Sequence, residues 1–297
     1  MAGIAQDELF GLLDIHGEDA EECASLLASP PGDGTRRALA SLDSRLGTFP
    51  STSASADGGS ETDWIEALLR FAPVVHRHHL SLGIAPESSA AILADVGLNL
   101  RINRRVHARF GLDTWAWLTL HMAGNIFRIG RLQFHLVRGD ADFPDVGGSA
   151  DAEGSAPAGG SWVLGVHIPE DGGLSPAIVD ASFSQAREFF DRYFPDRPVS
   201  VASCDSWMLD PYLADQLPHS NIAAFARRFT LDRCSDAPGD AIYFTFRQRG
   251  MENLDRLPRE TSLQRVVLER IDDGGVWQLG HGHLALPQRG APRFDTA

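Results

Sequence analysis

A glycine-containing turn between an apolar strand and a helix is the stretch whose residue types could bind an anion. Residues 162–168 form an apolar run of strand length, which Pro169 ends by removing a backbone donor. Gly172-Gly173 then permits a tight turn, and Ser175-Pro176 suits the start of a helix. Backbone N–H groups at a helix N-terminus of this kind bind phosphate or carboxylate groups. An ordinary strand-to-helix connection without a ligand explains the same pattern, and both interpretations stay open.

The segment after this turn is predicted to be an amphipathic helix that packs against a sheet. Its apolar residues recur at helical spacing: Phe183, Ala186, Phe189, Phe190, Tyr193 and Phe194. Ser182 and Gln185 have the spacing of a capping box, which predicts that the helix restarts or tightens at Ser182.

The composition excludes several kinds of site. The chain has 297 residues and a formal net charge of -14, and all its Lys+Arg side chains are arginine. Without lysine there is no P-loop lysine, no Schiff-base lysine and no anchor for pyridoxal phosphate. The acidic balance also disfavours a nucleic acid as partner, because binding its backbone needs a basic surface.

Neither a membrane nor an oxidising compartment is indicated. The longest apolar runs are shorter than the roughly 20 residues that span a bilayer, and we expect no secretory signal. The three cysteines, Cys23, Cys204 and Cys234, are far apart and odd in number, which favours a reducing compartment. We therefore expect a cytoplasmic protein, and the sequence gives no indication of its oligomeric state.

The hydrophobic period divides the chain into two regions. Helical spacing predicts helices at 6–27, 35–46, 62–82, 86–110 and 114–127. Alternation follows at 126–137, then a long hairpin loop at 138–160. Strands at 162–168, 198–209, 241–246 and 276–286 alternate with helices at 210–217, 220–229 and 262–271. We predict an α+β fold: a helical domain (1–125), a domain with a mixed, largely antiparallel sheet flanked by helices (126–290), and a tail (291–297).

Short motifs in the second region resemble a known protein family. They lie at 130–134, 166–174, 189–195, 204–211, 217–222 and 257–265. Beyond about residue 64 the chain resembles bacterial two-domain acyltransferases, in which a helical N-acyltransferase N-terminal domain precedes a C-terminal domain like the GNAT fold of N-acetyltransferases. The resemblance implies acyl transfer from a thioester, an acyl-coenzyme A, to an amine of a small-molecule acceptor.

The resemblance also implies how the donor is bound. In GNAT enzymes one strand splays from its neighbour and binds pantetheine, and the following turn binds the pyrophosphate through backbone N–H groups. The donor-binding residues here would be Val166, Ile168, Gly172, Gly173, Leu174 and Asn221. N–H groups within 166–168 would also stabilise the oxyanion. An Asx cap explains Asn221 equally well.

One feature departs from the family pattern. The usual Gln/Arg-x-x-Gly-x-Gly/Ala signature is missing, and Glu170 and Asp171 would stand beside the pyrophosphate. Each repulsion would cost on the order of 1 kcal/mol or more. Acidic side chains that turn away, compensating arginines or a donor other than coenzyme A would each resolve the conflict.

Catalytic roles follow from the same resemblance. His167 is the implied general base, because its unperturbed pKa lies near neutrality; a histidine packed in the core or facing solvent is the alternative. Cys204 or Ser206 would donate a proton or act as nucleophile, and Tyr212 would be a second proton donor. A buried inert thiol and a packed tyrosine are the alternatives.

Arg131 and Gln133 alternate on one face of the predicted strand at 126–137, a face that also carries His135. They would suit the carboxylate of an acceptor substrate. A solvated strand face explains them as well.

Two groups of histidines have spacings that could suit metal ligands. His76, His78 and His79 are predicted to lie on a solvated helix face, and His281 and His283 on one side of a strand. No cysteine or carboxylate stands at a known ligand spacing from them, so we predict no metal site.

Two other functions stay open. One is a catalytically silent GNAT-like protein that binds a ligand or regulates a partner. The other is a Cys204- and His167-dependent transferase or hydrolase that works through an acyl-enzyme.

Overall fold

Helices fill the N-terminal region of the protein. The computed structural model describes residues 4–139 and 160–287, so most of the predicted loop at 138–160 and the predicted tail at 291–297 lie outside the described residues. The helices of this region are α1 (Gln6–Leu13), α2 (Glu18–Leu27), α3 (Asp33–Arg45), α4 (Glu61–Ser81), α5 (Pro86–Leu93), α6 (Asp95–His107) and α7 (Trp115–Met122). The predicted helix at 86–110 is therefore two helices, α5 and α6, separated at Ala94.

Six strands and five further helices follow within the described residues. The strands are β1 (Ile126–Ile129), β2 (Leu132–Arg138), β3 (Trp162–His167), β4 (Val199–Ser206), β5 (Thr230–Asp236) and β6 (Gln278–Ala285), in the sheet order β1-β2-β3-β4-β6-β5. The helices are α8 (Pro176–Tyr193), α9 (Pro211–Gln216), α10 (Asn221–Ala226), α11 (Pro238–Phe246) and α12 (Ser262–Asp272). The predicted α+β class, with a helical region before a mixed sheet, is confirmed.

Contacts divide the chain into two compact units. The helical unit comprises Met1–Arg128 and Gln133–Arg138, and the sheet unit comprises Ile129–Leu132 and Gly139–Ala297. In the described part of both units, no helix has the length and apolar character needed to cross a bilayer.

Helix α4 is the centre of the helical unit's core. Ser60 and Asp63 form a capping box at its start, so two of the first backbone N–H groups have partners. Trp64 is fully buried and stacks on Trp115, with 4.6 Å between ring centroids.

The histidines near the end of α4 correct one prediction. His79 is fully buried, so this helix face is not simply solvated. Ser89 Oγ lies 2.8 Å from His76 Nδ1 and 2.9 Å from His79 Nδ1. A serine on α5 thus gives polar partners to residues whose sequence pattern favoured solvent.

The sheet unit contains both parallel and antiparallel pairs. β3 is parallel to β4, with Trp162 opposite Val199 and Gly165 opposite Ser203. β6 is antiparallel to both β4 and β5.

The alternating pattern at 126–137 belongs to two strands that meet at Gly130. This glycine has φ +61°, and a Cβ there would lie 2.7 Å from Ser182 Oγ. A side chain at this position would therefore be strained and would collide with α8.

Two predicted elements of the sheet unit are wrong. Residues 241–246, predicted as a strand, belong to α11, which begins at Pro238, a residue suited to a first helical turn. Helix α8 runs through Ser182 without restarting there, and Ser182 Oγ donates to Ile178 O at 2.8 Å within the helix.

Candidate active site

The turn after β3 is anchored by Arg131, whose side chain is buried against it. Arg131 Nε donates to Gly173 O at 2.8 Å, and Nη2 donates to Pro169 O and Gly172 O at 2.7 Å each. Its backbone N–H donates to Ser182 Oγ at 2.8 Å. One arginine therefore joins the β1–β2 turn, the turn after β3 and helix α8.

These contacts determine which way the amides of the turn point. In a planar trans peptide the C=O of one residue is antiparallel to the N–H of the next. Because the carbonyls of Pro169, Gly172 and Gly173 point at the guanidinium, the N–H groups of the following residues point away from it. Those following residues are Glu170, Gly173 and Leu174. The turn thus presents backbone donors on the side opposite Arg131, at the entrance to α8.

The two acidic residues of the turn have arginine neighbours. Glu170 forms an ion pair with Arg247, the residue at the end of α11. Asp171 Oδ1 lies 3.7 Å from Arg131 Nη1. Compensating arginines therefore resolve the conflict that the sequence posed, because each carboxylate stands beside a positive charge.

The pairing of β3 with β4 stops before the end of either strand. Its register with β4 ends at Gly165 opposite Ser203, whereas β3 continues to His167 and β4 to Ser206. Val166 and His167 thus lie beyond the last residue pair of the described register. Val166 is buried and His167 is half-buried, immediately before the anchored turn.

Cys204 is placed unfavourably for nucleophilic chemistry. It is 2% exposed, and burial, assisted by the nearby Asp205, raises the pKa of its thiol. A thiol that stays protonated is a poor nucleophile. Its position supports the alternative of a packed, inert cysteine.

Ser206 and Tyr212 make local structural contacts. Ser206 Oγ accepts from Met208 N at 3.1 Å, which caps the 3-10 turn at Trp207–Leu209. The Tyr212 ring packs edge-on against Trp277 and lies 4.4 Å from the Arg270 guanidinium carbon. These contacts support the packed alternative for Tyr212 and give Ser206 a capping role.

The remaining predicted binding residues lie in different surroundings. Asn221 is the exposed first residue of α10, and the helix is capped by Ser220, whose Oγ accepts from Ala223 N at 3.1 Å. Gln133 is buried in the helical unit, so a solvated strand face does not describe it. Arg131 is committed to the turn rather than presented to a substrate carboxylate.

Sequence reasoning missed a buried aspartate that bonds to α9, α12 and β6 of the sheet unit. Asp210 Oδ2 accepts from Arg270 Nη1 at 2.6 Å and from Gln278 N at 2.9 Å, and Oδ1 accepts from Tyr212 N at 3.0 Å. Asp210 is 1% exposed. The Asp-Pro pair at 210–211 was a signal for a helix cap, but nothing local indicated Arg270.

The histidines of β6 pair with aspartates. His281 Nδ1 lies 2.9 Å from Asp205 Oδ1, and His283 Nδ1 lies 2.8 Å from Asp232 Oδ1. No group of three or more His, Cys, Asp or Glu side chains arranged to hold a metal ion occurs within 4–139 and 160–287.

Comparisons with known proteins agree with the predicted resemblance. The chain matches the N-acyltransferase N-terminal domain over residues 5–124 and the GNAT-like C-terminal domain over residues 126–284. None of the curated proteins compared with the chain matches it.

Solved structures of acyltransferases are similar over nearly the whole chain. One, in complex with CoA and 10C-teicoplanin, is 31% identical with a TM-score of 0.78 and covers 96% of this chain and 88% of its own. Another, in complex with decanoyl-CoA, is 30% identical with a TM-score of 0.78 and covers 95% and 88%. A third, with decanoyl-CoA and teicoplanin, is 31% identical with a TM-score of 0.76 and covers 97% and 89%. The chain therefore belongs to the acyltransferase family that joins an N-acyltransferase N-terminal domain to a GNAT-like C-terminal domain.

Proposed function

We propose that the protein transfers an acyl group from an acyl-coenzyme A to an amine of a small-molecule acceptor, at the end of β3 and the turn that follows. The observation that carries this proposal is the turn anchored by Arg131, which aims backbone N–H groups away from the guanidinium. The similar acyltransferases were solved with CoA, decanoyl-CoA and teicoplanin, which supports this donor and a small-molecule acceptor.

The donor pyrophosphate would bind the N–H groups of Gly173 and Leu174 at the start of α8. These amides point away from Arg131, and the helix N-terminus adds a favourable dipole. Ion pairing of Glu170 with Arg247 reduces the repulsion that a free carboxylate would exert. The pantetheine would lie along residues 166–168, where β3 extends past its last residue paired with β4.

His167 is proposed as the general base. It would take a proton from the acceptor ammonium, and the free amine would then attack the thioester carbon. A backbone N–H within 166–168 would donate to the oxyanion, and collapse of this intermediate would form the amide and expel the coenzyme A thiolate, which takes up a proton. The contacts of Cys204, Ser206 and Tyr212 favour packing roles, so we assign the chemistry to His167.

We also propose the division into a helical domain (1–125), an acyltransferase domain (126–290) and a tail (291–297), which the two family matches support. A cytoplasmic location in a bacterium belongs to the same proposal. It is supported by three free cysteines, of which Cys23 and Cys204 are buried.

Release of free thiol from decanoyl-CoA tests the function directly. The assay would use a pool of small amines together with teicoplanin, and mass spectrometry would identify the acylated product. His167→Gln should lower kcat by roughly 100-fold or more, because a general base contributes about 10²–10⁴-fold. His219→Gln, at an exposed histidine of the same unit, should keep the activity.

A second variant separates binding from chemistry. A Cβ at Gly173 would meet no atom within 4 Å, so Gly173→Ala should fold normally yet place a methyl group where the donor approaches. We expect a higher KM for the donor with little change in kcat. If wild-type protein releases no thiol above buffer with any acceptor, but still binds the thioester, the catalytically silent alternative is correct.

A further inference from the structure

Three polar side chains on one face of the sheet form a line with hydrogen-bond spacing. Ser235 Oγ lies 3.0 Å from His281 Nε2, and His281 Nδ1 lies 2.9 Å from Asp205 Oδ1. The two imidazole nitrogens therefore have different partners, a hydroxyl on one side and a carboxylate on the other. A nucleophile, a base and a group that orients the base stand in this relation in Ser-His-Asp enzymes.

The three residues are held in place by strand pairing, since each of them lies within a strand. Asp205 of β4 is directly opposite His281 of β6, and on the other side Arg233 of β5 is opposite His281. Ser235 lies two residues further along β5, so it occupies the diagonal position, which is within side-chain reach.

The group is accessible to a small substrate. The side chain of Asp205 is 65% exposed and that of His281 is 16% exposed, and Ser235 is exposed as well. β5 is the edge strand of the sheet. Outward N–H groups on an edge strand have no strand partner, so they are the donors available to an oxyanion beside Ser235.

We propose that Ser235, His281 and Asp205 form a second nucleophilic site, one that hydrolyses activated carboxylic esters and thioesters. The site is open to solvent, so it gains little from a water-excluded pocket and should need a good leaving group. It uses none of the residues assigned to amide formation, and it stands whether or not the proposed transfer is correct.

The chemistry at this site balances without a cofactor. Ser235 Oγ bonds to the acyl carbon while its proton passes to His281 Nε2. The bond to the leaving alcohol or thiol then breaks, and that group takes the proton from the imidazolium. Water attacks the acyl-serine next, with His281 accepting a proton from the water and returning one to Ser235 Oγ. Asp205 accepts the Nδ1–H bond throughout and keeps the base in the required orientation.

The neighbouring Asp232–His283 pair provides a matched control. His283 Nδ1 lies 2.8 Å from Asp232 Oδ1, as in the proposed site, but its side chain is only 4% exposed. Asp232→Asn therefore breaks an aspartate–histidine pair of the same sheet, here between β5 and β6, without touching Ser235.

Labelling with a fluorophosphonate probe tests the proposal, because serine displaces fluoride only when its hydroxyl is activated. Wild-type protein should carry the adduct on the peptide containing Ser235, and Ser235→Ala should carry none there. His281→Gln should slow labelling at least about 100-fold, the lower range for loss of a general base. Asp205→Asn should slow it too, whereas Asp232→Asn should label at the wild-type rate.

Hydrolysis of p-nitrophenyl acetate gives a second measurement, in which the Ser235→Ala and His281→Gln variants should both lose activity above buffer. Circular dichroism of each variant would show that the fold is retained. Equal labelling of Ser235 in wild type and His281→Gln would overturn the proposal, and so would a wild-type protein whose Ser235 takes no label. Such a result would identify the three side chains as a surface hydrogen-bond chain.

Discussion

Three histidines of the helical unit, His79, His121 and His135, have surroundings opposite to those of His281 in the sheet unit. All three are buried: burial lowers the pKa of His79 to about 3 and that of His135 to about 4. Burial also lowers the pKa of His121, although Asp95 Oδ2 lies 3.2 Å from its Nε2. In the sheet unit His281 instead meets a largely exposed aspartate.

This difference in burial and partners indicates what a histidine contributes to the protein. A buried imidazole that stays neutral near pH 7 fills the core and bonds polar neighbours, as His79 does with Ser89. A partly accessible imidazole between a carboxylate and a hydroxyl is held ready to move a proton. Residue type alone does not distinguish these two roles, whereas the hydrogen-bond partner and the degree of burial do.

The largest expected effect is loss of stability of the helical unit in acid. Unfolded histidine binds its proton near pH 6.5, whereas folded His79 does so only near pH 3. The stabilisation that neutral, buried His79 provides is therefore complete above pH 6.5, and it is lost progressively as the pH falls from 6.5 towards 3. The full difference amounts to roughly 5 kcal/mol at about 1.4 kcal/mol per pH unit. Hydrogen exchange between pH 7.5 and 4.5 should show helical-unit peptides opening first.

A matched pair of variants checks the origin of this acid sensitivity. His79→Phe removes one of the three buried titrating groups and should reduce the pH dependence of helical-unit opening, while His121 and His135 keep the rest of it. His281→Gln, in the sheet unit, is the control. Sheet-unit peptides that open first in the wild type would contradict the comparison.

Removal of two buried aspartates should give the next largest effect, and an unequal one. Asp210→Asn leaves the Arg270 guanidinium, only 14% exposed, without its carboxylate, which should cost about 3–5 kcal/mol. Asp95→Asn should cost less, on the order of 1 kcal/mol, because burial keeps its partner His121 neutral. Urea unfolding of both variants measures the difference, and equal losses would mean that His121 is charged.

Two buried serines, Ser89 in the helical unit and Ser182 in the sheet unit, should give smaller losses of stability. Ser89→Ala removes a partner from both His76 and His79, and Ser182→Ala removes the acceptor for Arg131 N. Each should lower stability by about 1–3 kcal/mol, the cost of leaving a buried polar group unpaired. Only Ser182→Ala should also lower affinity for the acyl donor, because Arg131 shapes the turn. Isothermal titration with CoA would test this, and an equal loss of affinity in both variants would refute it.

The smallest effect is expected at the exposed end of the Asp205–His281 pair. Asp205→Asn should change the free energy of unfolding by less than about 1 kcal/mol, since a contact made by a largely exposed carboxylate contributes little. Its effect on fluorophosphonate labelling should be much larger than its effect on stability. A large loss of stability would instead assign Asp205 a structural role.

The unit of strand, turn and helix could be predicted from sequence because its signals are local. Pro169, the two glycines and Pro176 each act on the backbone at their own position. Arg131 could not be assigned to the turn, because it lies 42 residues before Gly173 and reaches it only through the fold. The ion pair of Glu170 with Arg247 could not be predicted for the same reason, because the two residues are far apart in the sequence.

Two elements show where local patterns mislead. Residues 241–246 are a short run rich in aromatic residues, as is common in strands, but Ala241 and Ile242 are both buried in α11. β5 was missed because its sequence is polar and mostly exposed, as suits an edge strand. The Ser235–His281–Asp205 line depends on that strand and was therefore invisible in the sequence.

The hydrogen bonds from the Arg131 side chain to the turn after β3 have a thermodynamic consequence. A loop that becomes ordered only when its ligand arrives loses conformational entropy at that moment, and the affinity falls accordingly. Here three carbonyl groups are already fastened to one guanidinium within the protein itself. The amides on the far side thus stand in their final orientation beforehand, and a phosphate that docks there meets a rigid surface.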